Sequence, residues 1–378
     1  MNRRSLLHSA TGAAALGLAG CLGDGGADPT ATAGTDSSPD ATSPTDERTQ
    51  TADPTASPTA TPEGPSGVYV QSFRETMVMP GTATAGDYRF ALLVAVPHRF
   101  WTVTLSDRSV TPIRDGDDVH LMAAVWDPET GTVLPDSNLS VEIARDGELV
   151  SQEVIYPMLS QRMGFHYGAN FGLDGDGTYT ARLSVGGVSA RTTGDFAGRF
   201  ADGETAEIEF EWSKQVREQL KTEQIDEAGE RGALAPMEMG ELPQPRAAEP
   251  AALPGTVLGT GRSDDAKLVA THLSADAAGR FTEGNSYLAI SARTPYNRLV
   301  LPAIGLSATV ARGGETVFEG AFQRTLDPEL GYHYGAAVPE SPQSGDEIAL
   351  TVDTPPQLAR HEGYERAFLQ MDPATITA

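Results

Sequence analysis

Short segments of alternating or continuous apolar residues recur along the chain and predict β-strands. The clearest spans residues 206–212, where every second residue is apolar, so that one strand face would be buried and the other exposed. Turns rich in glycine and aspartate separate these segments, as at residues 174–177. The pattern predicts an all-β fold built from antiparallel β-sandwiches. The strands predicted in the first half are 68–73, 88–96, 119–125, 139–144, 178–185 and 206–212.

The pattern changes after residue 212. Ser213 is predicted to cap a helix that runs to about residue 231 and ends at Gly232. This segment is polar nearly all round, which is typical of a surface connector. Five prolines between residues 236 and 254 then predict an extended linker. Residues 214–253 are therefore interpreted as a short connector helix and a Pro-rich linker.

The second half of the chain repeats the first. A constant offset of 167 aligns residues 120–169 with 287–336 without a gap, and both segments end in a His-Tyr-Gly motif, at 166–168 and 333–335. Upstream, residues 93–95 followed by His98 resemble residues 268–270 followed by His272. We predict two tandem sandwich domains, 66–213 and 254–378, the second a degenerate repeat, which could pack as a pseudo-dimer. The motif is interpreted in part as a structural turn common to both.

Acidic residues far outnumber basic ones, at 52 against 27, which gives a formal net charge of -25. They are spread along the chain, and no basic stripe exists to contact phosphates, so a nucleic-acid partner is excluded. Such a surface is typical of a salt-adapted proteome, where carboxylates maintain solubility. The alternative interpretation is a surface that attracts cations.

The first 65 residues predict export and anchoring. Arg3 and Arg4, a short apolar stretch and Leu-Ala-Gly-Cys at 18–21 make residues 1–21 a signal that resembles twin-arginine and lipoprotein signals. Cys21, the only cysteine, would be lipidated and hold the protein at the outer face of the cell membrane. A secretory signal that ends in cysteine by chance is the alternative. Residues 22–65, rich in Thr, Ser, Pro and Asp, predict a disordered stalk, either O-glycosylated or a plain tether.

Histidine and methionine carry the candidate chemistry. His120 and Met122 are two residues apart on a predicted strand and so share a face, while Met158 and Met163 precede His166. Imidazole and thioether together favour copper, especially Cu(I), whereas imidazole alone also suits iron, nickel or zinc. The alternative is that the methionines fill the core and the histidines are structural. The chain has no nucleophile-elbow, P-loop, dinucleotide or His-Glu-x-x-His motif, so we predict that it is not an enzyme.

Residues 118–123, Met158 and the His-Tyr-Gly-Ala-Asn segment at 166–170 resemble the periplasmic iron-transport lipoprotein family. The resemblance covers most of 70–213 and, more weakly, 254–372. It implies immunoglobulin-like sandwiches that bind copper, assist iron uptake and usually form dimers. It also implies His120 and His166 as ligands, with Met158 or Met163 as the methionine. We interpret the chain as a haloarchaeal tandem-domain relative, with an iron permease as a possible partner.

Neither copy matches the whole family pattern. In the first copy, Met122 replaces a carboxylate of the family pattern and Thr192 falls at the final histidine position. In the second copy, His333 and His361 are present, but Tyr287 replaces the first histidine. These complementary losses suggest that His361 completes the first copy's site, which requires it to lie within about 10 Å of His166, since metal–imidazole bonds are near 2 Å. His333 is the weaker ligand candidate.

The predicted function is therefore a lipid-anchored metal-binding protein that supports iron or copper acquisition without catalysis. The alternative is a structural or interaction β-sandwich lipoprotein of the cell surface that has lost its metal.

Overall fold

The computed structural model describes residues 65–153 and 155–378. The predicted export signal, Cys21 and the predicted stalk up to residue 64 lie outside the described residues. In the part of the chain that is described, no helix is both long and apolar enough to cross a membrane.

Strands account for nearly all of the regular structure. The first copy contains β1 (Phe73–Glu75), β2 (Val78–Ala85), β3 (Tyr88–Ala95), β4 (Phe100–Thr104), β5 (Asp107–Thr111), β6 (Val119–Trp126), β7 (Ser140–Arg145), β8 (Glu148–Glu153), β9 (Tyr156–Ser160), β10 (Gly164–Phe171), β11 (Gly177–Val185), β12 (Arg191–Thr192) and β13 (Glu204–Trp212). The connector contains α1 (Lys214–Gln219) and β14 (Thr222–Gln224). The second copy contains β15 (Thr256–Ser263), β16 (Ala266–Leu273), β17 (Ser286–Arg293), β18 (Gly305–Arg312), β19 (Glu315–Ala321), β20 (Gln323–Asp327), β21 (Gly331–Val338), β22 (Glu347–Thr354), β23 (Ala359–Arg360) and β24 (Ala374–Thr377). Two short 3-10 helices span Gly194–Phe196 and Pro250–Ala252.

Each copy has one large and one four-stranded sheet. The first copy's strands form the orders β2-β3-β6-β10-β9-β23-β4-β5 and β13-β11-β7-β8, and the second copy's form β12-β20-β21-β17-β16-β15 and β19-β18-β22-β24. β1 and β14 pair separately. Buried residues from the two large and the two four-stranded sheets belong to one continuous apolar core. The prediction of an all-β fold is confirmed.

Where the sequence alternates strictly, the predicted strand is found almost residue for residue. In β13, Ala206, Ile208, Phe210 and Trp212 are buried and the glutamates between them are exposed. The prediction at 68–73 fits poorly, because only Phe73 belongs to a strand. The rest of this segment makes only an isolated bridge, between Tyr69 and Arg231, because tertiary contacts decide whether a short β-prone segment pairs.

The connector helix is much shorter than predicted. Ser213 does cap it, since its Oγ accepts a hydrogen bond from the Val216 amide at 3.4 Å, but the helix ends at Gln219 instead of residue 231. None of the helical residues is buried, so no apolar face holds a longer helix against the core. The chain instead buries Leu220 and then pairs as β14 with β1.

The two His-Tyr-Gly motifs lie inside central strands, β10 and β21, so their interpretation as a shared turn is wrong. The turn residues are the glycines that open each segment, Gly164 and Gly331, whose φ values are 68° and 66°. Tyr167 and Tyr334 then have the same structural role. Their hydroxyls accept hydrogen bonds from the amides of Ser137 and Ile304, which are also 167 positions apart.

Each copy contributes one two-residue strand to the large sheet of the other. β12 of the first copy pairs in parallel with β20, and β23 of the second copy pairs in parallel with β9. β23 also pairs with β4. Because β23 lies in the first copy's sheet, the residue that follows it, His361, reaches the first copy.

Candidate metal centre

Four histidines and a methionine converge between β3, β6, β9, β10 and the end of β23. His98 follows β3, His120 lies on β6, Met158 on β9, His166 on β10, and His361 follows β23. Ring centres are 4.0 Å apart for His98 and His120, 4.8 Å for His98 and His361, and 5.2 Å for His166 and His361. We call these five residues the histidine cluster.

Strand pairing places the first-copy members of the cluster. His166 is directly opposite Met158 in the β9–β10 pair, and His120 is opposite Asn170 in the β6–β10 pair. Gly168, which also lies on β10, leaves the space between them open. A Cβ atom at Gly168 would lie 2.9 Å from Met158 Sδ and 3.0 Å from His120 Nε2. The backbone of Gly168 does not have a left-handed φ, so its conformation does not demand glycine. Glycine is required because any larger side chain would collide with Met158 and His120.

Hydrogen bonds orient three of the imidazoles through Nδ1. His120 Nδ1 lies 2.8 Å from Asn170 Oδ1, His166 Nδ1 lies 3.0 Å from the Gly164 carbonyl oxygen, and His98 Nδ1 lies 3.1 Å from the Val96 carbonyl oxygen. An oxygen acceptor at Nδ1 holds the proton there and leaves Nε2 unprotonated, which is the arrangement found in metal-binding histidines.

Two of the Nε2 atoms are buried without a partner. His120 and His166 are 0% and 1% exposed, and neither Nε2 has a hydrogen bond from any described residue. Leaving a buried polar atom unsatisfied costs about 1–3 kcal/mol. His361 Nε2 faces the same space, 3.3 Å from Met158 Sδ, while its Nδ1 is 3.2 Å from His98 Nε2. The arrangement fits a metal ion, which would satisfy the unpaired nitrogens.

Three histidines of the cluster are uncharged near pH 7. Burial lowers the pKa of His166 to about 4. Burial, and then the neighbouring His98, hold the pKa values of His120 and His361 well below the ordinary range. Metal binding needs neutral imidazole, so these rings are in the binding form without losing a proton.

The ligand candidates predicted from the sequence lie in two neighbouring parts of the structure. His120, Met158, His166 and His361 meet in the histidine cluster, and His361 is within the 10 Å of His166 that the complementation hypothesis requires. Met122 and Met163 line a small cavity beside the cluster, which His361 also borders.

His98 was not identified as a candidate ligand from the sequence. The available signal was its position just after the strand that pairs with the His120 strand. Its proposed alignment with His272 is wrong, because Val94 pairs with Leu121 and His272 pairs with the equivalent Leu288. His272 therefore corresponds to Val94, and the second copy has no histidine equivalent to His98.

The equivalent place in the second copy is closed by hydrogen bonds and an aromatic ring. His333 Nδ1 lies 2.9 Å from the Gly331 carbonyl oxygen, and its Nε2 accepts a hydrogen bond from the Tyr287 hydroxyl at 3.2 Å. Phe281 stacks on Tyr287 with ring centres 4.2 Å apart. His333 thus has both ring nitrogens satisfied and takes part in no cluster of possible ligands among the described residues.

Comparison with known proteins gives limited matches. A family model described as a domain of unknown function (DUF7350) matches residues 251–377, which is the second copy. No curated protein matches the chain. A copper-bound variant of FetP from uropathogenic Escherichia coli is 21% identical with a TM-score of 0.29, and covers 36% of this chain and 97% of that chain. An as-isolated form of FetP is 19% identical with a TM-score of 0.27, and covers 37% of this chain and 96% of that chain.

Proposed function

We propose that this protein binds one transition-metal ion, copper in preference to others, in the histidine cluster. The observation that carries the proposal is the pair of fully buried, unpartnered nitrogens, His120 Nε2 and His166 Nε2, beside the thioether of Met158. The histidine at the position equivalent to His166 in the second copy, His333, instead has both ring nitrogens hydrogen-bonded. The contrast between two copies of one fold therefore supports a ligand role in the first copy.

The donor set favours copper. Imidazole binds copper, zinc, iron and nickel, but a thioether adds preference for Cu(I), and hard ions such as magnesium and calcium require oxygen donors. The ligand atoms of His98, His120 and His361 lie within 4.8 Å of one another, close enough for one ion to draw them together. When bound, the ion would supply a fixed positive charge that joins the two copies through His361.

Burial supports binding without catalysis. Met158 and His120 are 0% exposed, and the cavity that reaches the cluster at His361 has a volume of about 30 Å³, far below the roughly 300 Å³ of a typical small-molecule site. We further propose that Cys21 is lipidated and holds the protein on the outer face of the cell membrane, where it supports copper or iron acquisition together with a membrane permease. The motif at residues 18–21 and the family resemblance of the first copy support this part of the proposal.

Metal analysis of the purified chain tests the function. After incubation with copper, iron or zinc and removal of unbound ions, we expect about one copper per chain, because the cluster offers one group of converging donors. His120→Ala and His166→Ala should each lose most of the copper, while His333→Ala, the matched change in the second copy, should retain it. Failure of the unmodified chain to retain any metal would favour a structural or interaction module instead.

A further inference from the structure

A small cavity adjoins the histidine cluster and shares one wall with it. Its volume is about 30 Å³, and its lining comprises Gln71, Glu75, Met77, Met122, Ser160, Arg162, Met163 and His361. A cavity needs about 10–15 Å³ to hold one water-sized particle, so this cavity has room for a single ion or water molecule. The Glu75 carboxylate is present to offset the charge of the Arg162 guanidinium in the same lining.

The lining has the donors of a soft-metal site. Three methionines, Met77, Met122 and Met163, line the cavity together with Glu75. Glu75 Oε1 is buried without a hydrogen-bond partner, although it lies 3.0 Å from His98 Nδ1. His98 Nδ1 also lies 3.1 Å from the Val96 carbonyl oxygen, so the carboxylate and this carbonyl share one ring nitrogen.

Two residues connect the cavity to the cluster. His361 lines the cavity and also contacts His98 and Met158. Glu75 lines the cavity and contacts His98. An ion in the cavity is therefore one ligand exchange away from the cluster.

Two of the cavity methionines have no methionine at the aligned positions of the second copy. The offset of 167 places Ala289 opposite Met122 and Leu330 opposite Met163 in the second copy. Both replacements are buried and apolar, so packing at these positions does not demand sulfur. At these two positions the second copy has no sulfur, and its His333 has both ring nitrogens hydrogen-bonded.

We propose that Met77, Met122 and Met163, with Glu75, form an entry port where a cuprous ion binds before His361 passes it to the histidine cluster. This inference rests on the proposed function. The transfer is a ligand exchange in which thioether bonds to Cu(I) break and bonds to neutral imidazole nitrogens form. The ion keeps its charge, and no electron or proton is exchanged.

The port discriminates between oxidation states. Thioethers bind Cu(I) well and Cu(II) poorly, whereas imidazoles bind both. Loss of the sulfurs should therefore slow the loading of Cu(I) and leave the loading of Cu(II) and the final copper content unchanged.

Copper loading of the full chain tests the port. The variant Met122→Leu/Met163→Leu retains apolar side chains of similar volume, a kind of change that cores tolerate. Anaerobic stopped-flow mixing with Cu(I) held by a chromophoric chelator gives one rate, and mixing with Cu(II) gives the other. We expect Cu(I) loading to slow at least about tenfold, as loss of groups that support a metal site costs about 10–100-fold. Met371→Leu, in the second copy, should change neither rate.

Three results would overturn the inference. They are an unchanged Cu(I) rate, an equal slowing of both oxidation states, which would assign the methionines to packing, and a lower final Cu(II) content. Absence of copper binding by the unmodified chain would instead overturn the proposed function, and the port with it.

X-ray absorption gives a second readout. In His120→Ala/His166→Ala the cluster is disabled, so Cu(I) supplied below one equivalent, without removal of weakly bound ions, should stop at the port and show several sulfur neighbours in its absorption spectrum. Adding Met77→Leu, Met122→Leu and Met163→Leu should lower the number of sulfur neighbours to at most the one that Met158 supplies. A Cu(I) spectrum without sulfur in the histidine-deficient chain would contradict the port.

Discussion

His361→Ala tests whether the metal joins the two copies. The change removes the single imidazole that the second copy contributes, which contacts Met158 Sδ at 3.3 Å. A metal that binds only the folded chain stabilises it by about 2.7 kcal/mol when free metal is 100 times the Kd. Roughly 310 folded residues, each contributing about 2.1 cal/mol/K to the entropy of unfolding, give about 0.65 kcal/mol/K. Copper should therefore raise the Tm of the unmodified chain by about 4 °C.

The same free copper should stabilise His361→Ala far less. If the affinity falls about 100-fold, free metal equals the new Kd, and the stabilisation drops to about 0.4 kcal/mol, or less than about 1 °C in Tm. Calorimetric scans with and without copper measure both shifts. Thr193→Ala is the matched control, because Thr193 follows β12 as His361 follows β23, and it should keep the shift of about 4 °C. The strand register pairs Thr192 with Leu326 and Arg360 with the equivalent Leu159, so the predicted equivalence of Thr192 and His361 is wrong. A full copper-dependent shift in His361→Ala would refute a site shared by both copies.

Three further predictions use the difference between the copies. Gly168→Ala places a Cβ 2.9 Å from Met158 Sδ and should weaken copper binding at least about tenfold, as measured by competition titration. The matched change Gly335→Ala crowds Tyr287 and should lower the stability of the chain without changing its copper affinity. Tyr287→Phe leaves His333 Nε2 unsatisfied and should cost about 1–3 kcal/mol in urea unfolding, with copper content unchanged. Burial lowers the pKa of His333 to about 4, so the unfolded chain takes up a proton at this residue below about pH 6.5 and the folded chain does not. The free energy of unfolding should therefore fall as the pH is lowered from 7 to 5. In His333→Asn this fall should be smaller than in the unmodified chain by about 2 kcal/mol. Equal falls in the two proteins would contradict the effect of burial on His333.

Local patterns in the sequence predicted the fold better than the site. The alternation at 206–212 depends only on neighbouring residues, and β13 follows it. The helix after Ser213 had a good cap but no apolar face, and the cap alone did not extend it beyond Gln219. The short strands β12 and β23 have two residues each, too few for any sequence pattern to mark them.

The site residues that could be predicted are those marked by motif spacing or by comparison of the two repeats. His120 and His166 followed from the resemblance, and His361 from the complementary losses of the two copies. His98 could not be identified because it lies in a loop whose position depends on the packing of β3 against β6. The requirement for glycine at residue 168 was also hidden, because it depends on Met158 and His120 meeting across two different strand pairs.

The most direct test of the account is anomalous diffraction at the copper absorption edge from crystals of the copper-loaded full chain. We predict one strong peak about 2 Å from imidazole nitrogens of both copies, His120 and His166 from the first and His361 from the second, with Met158 Sδ beside it. A peak bound by residues of a single copy, or no copper peak in the histidine cluster, would contradict the central claim.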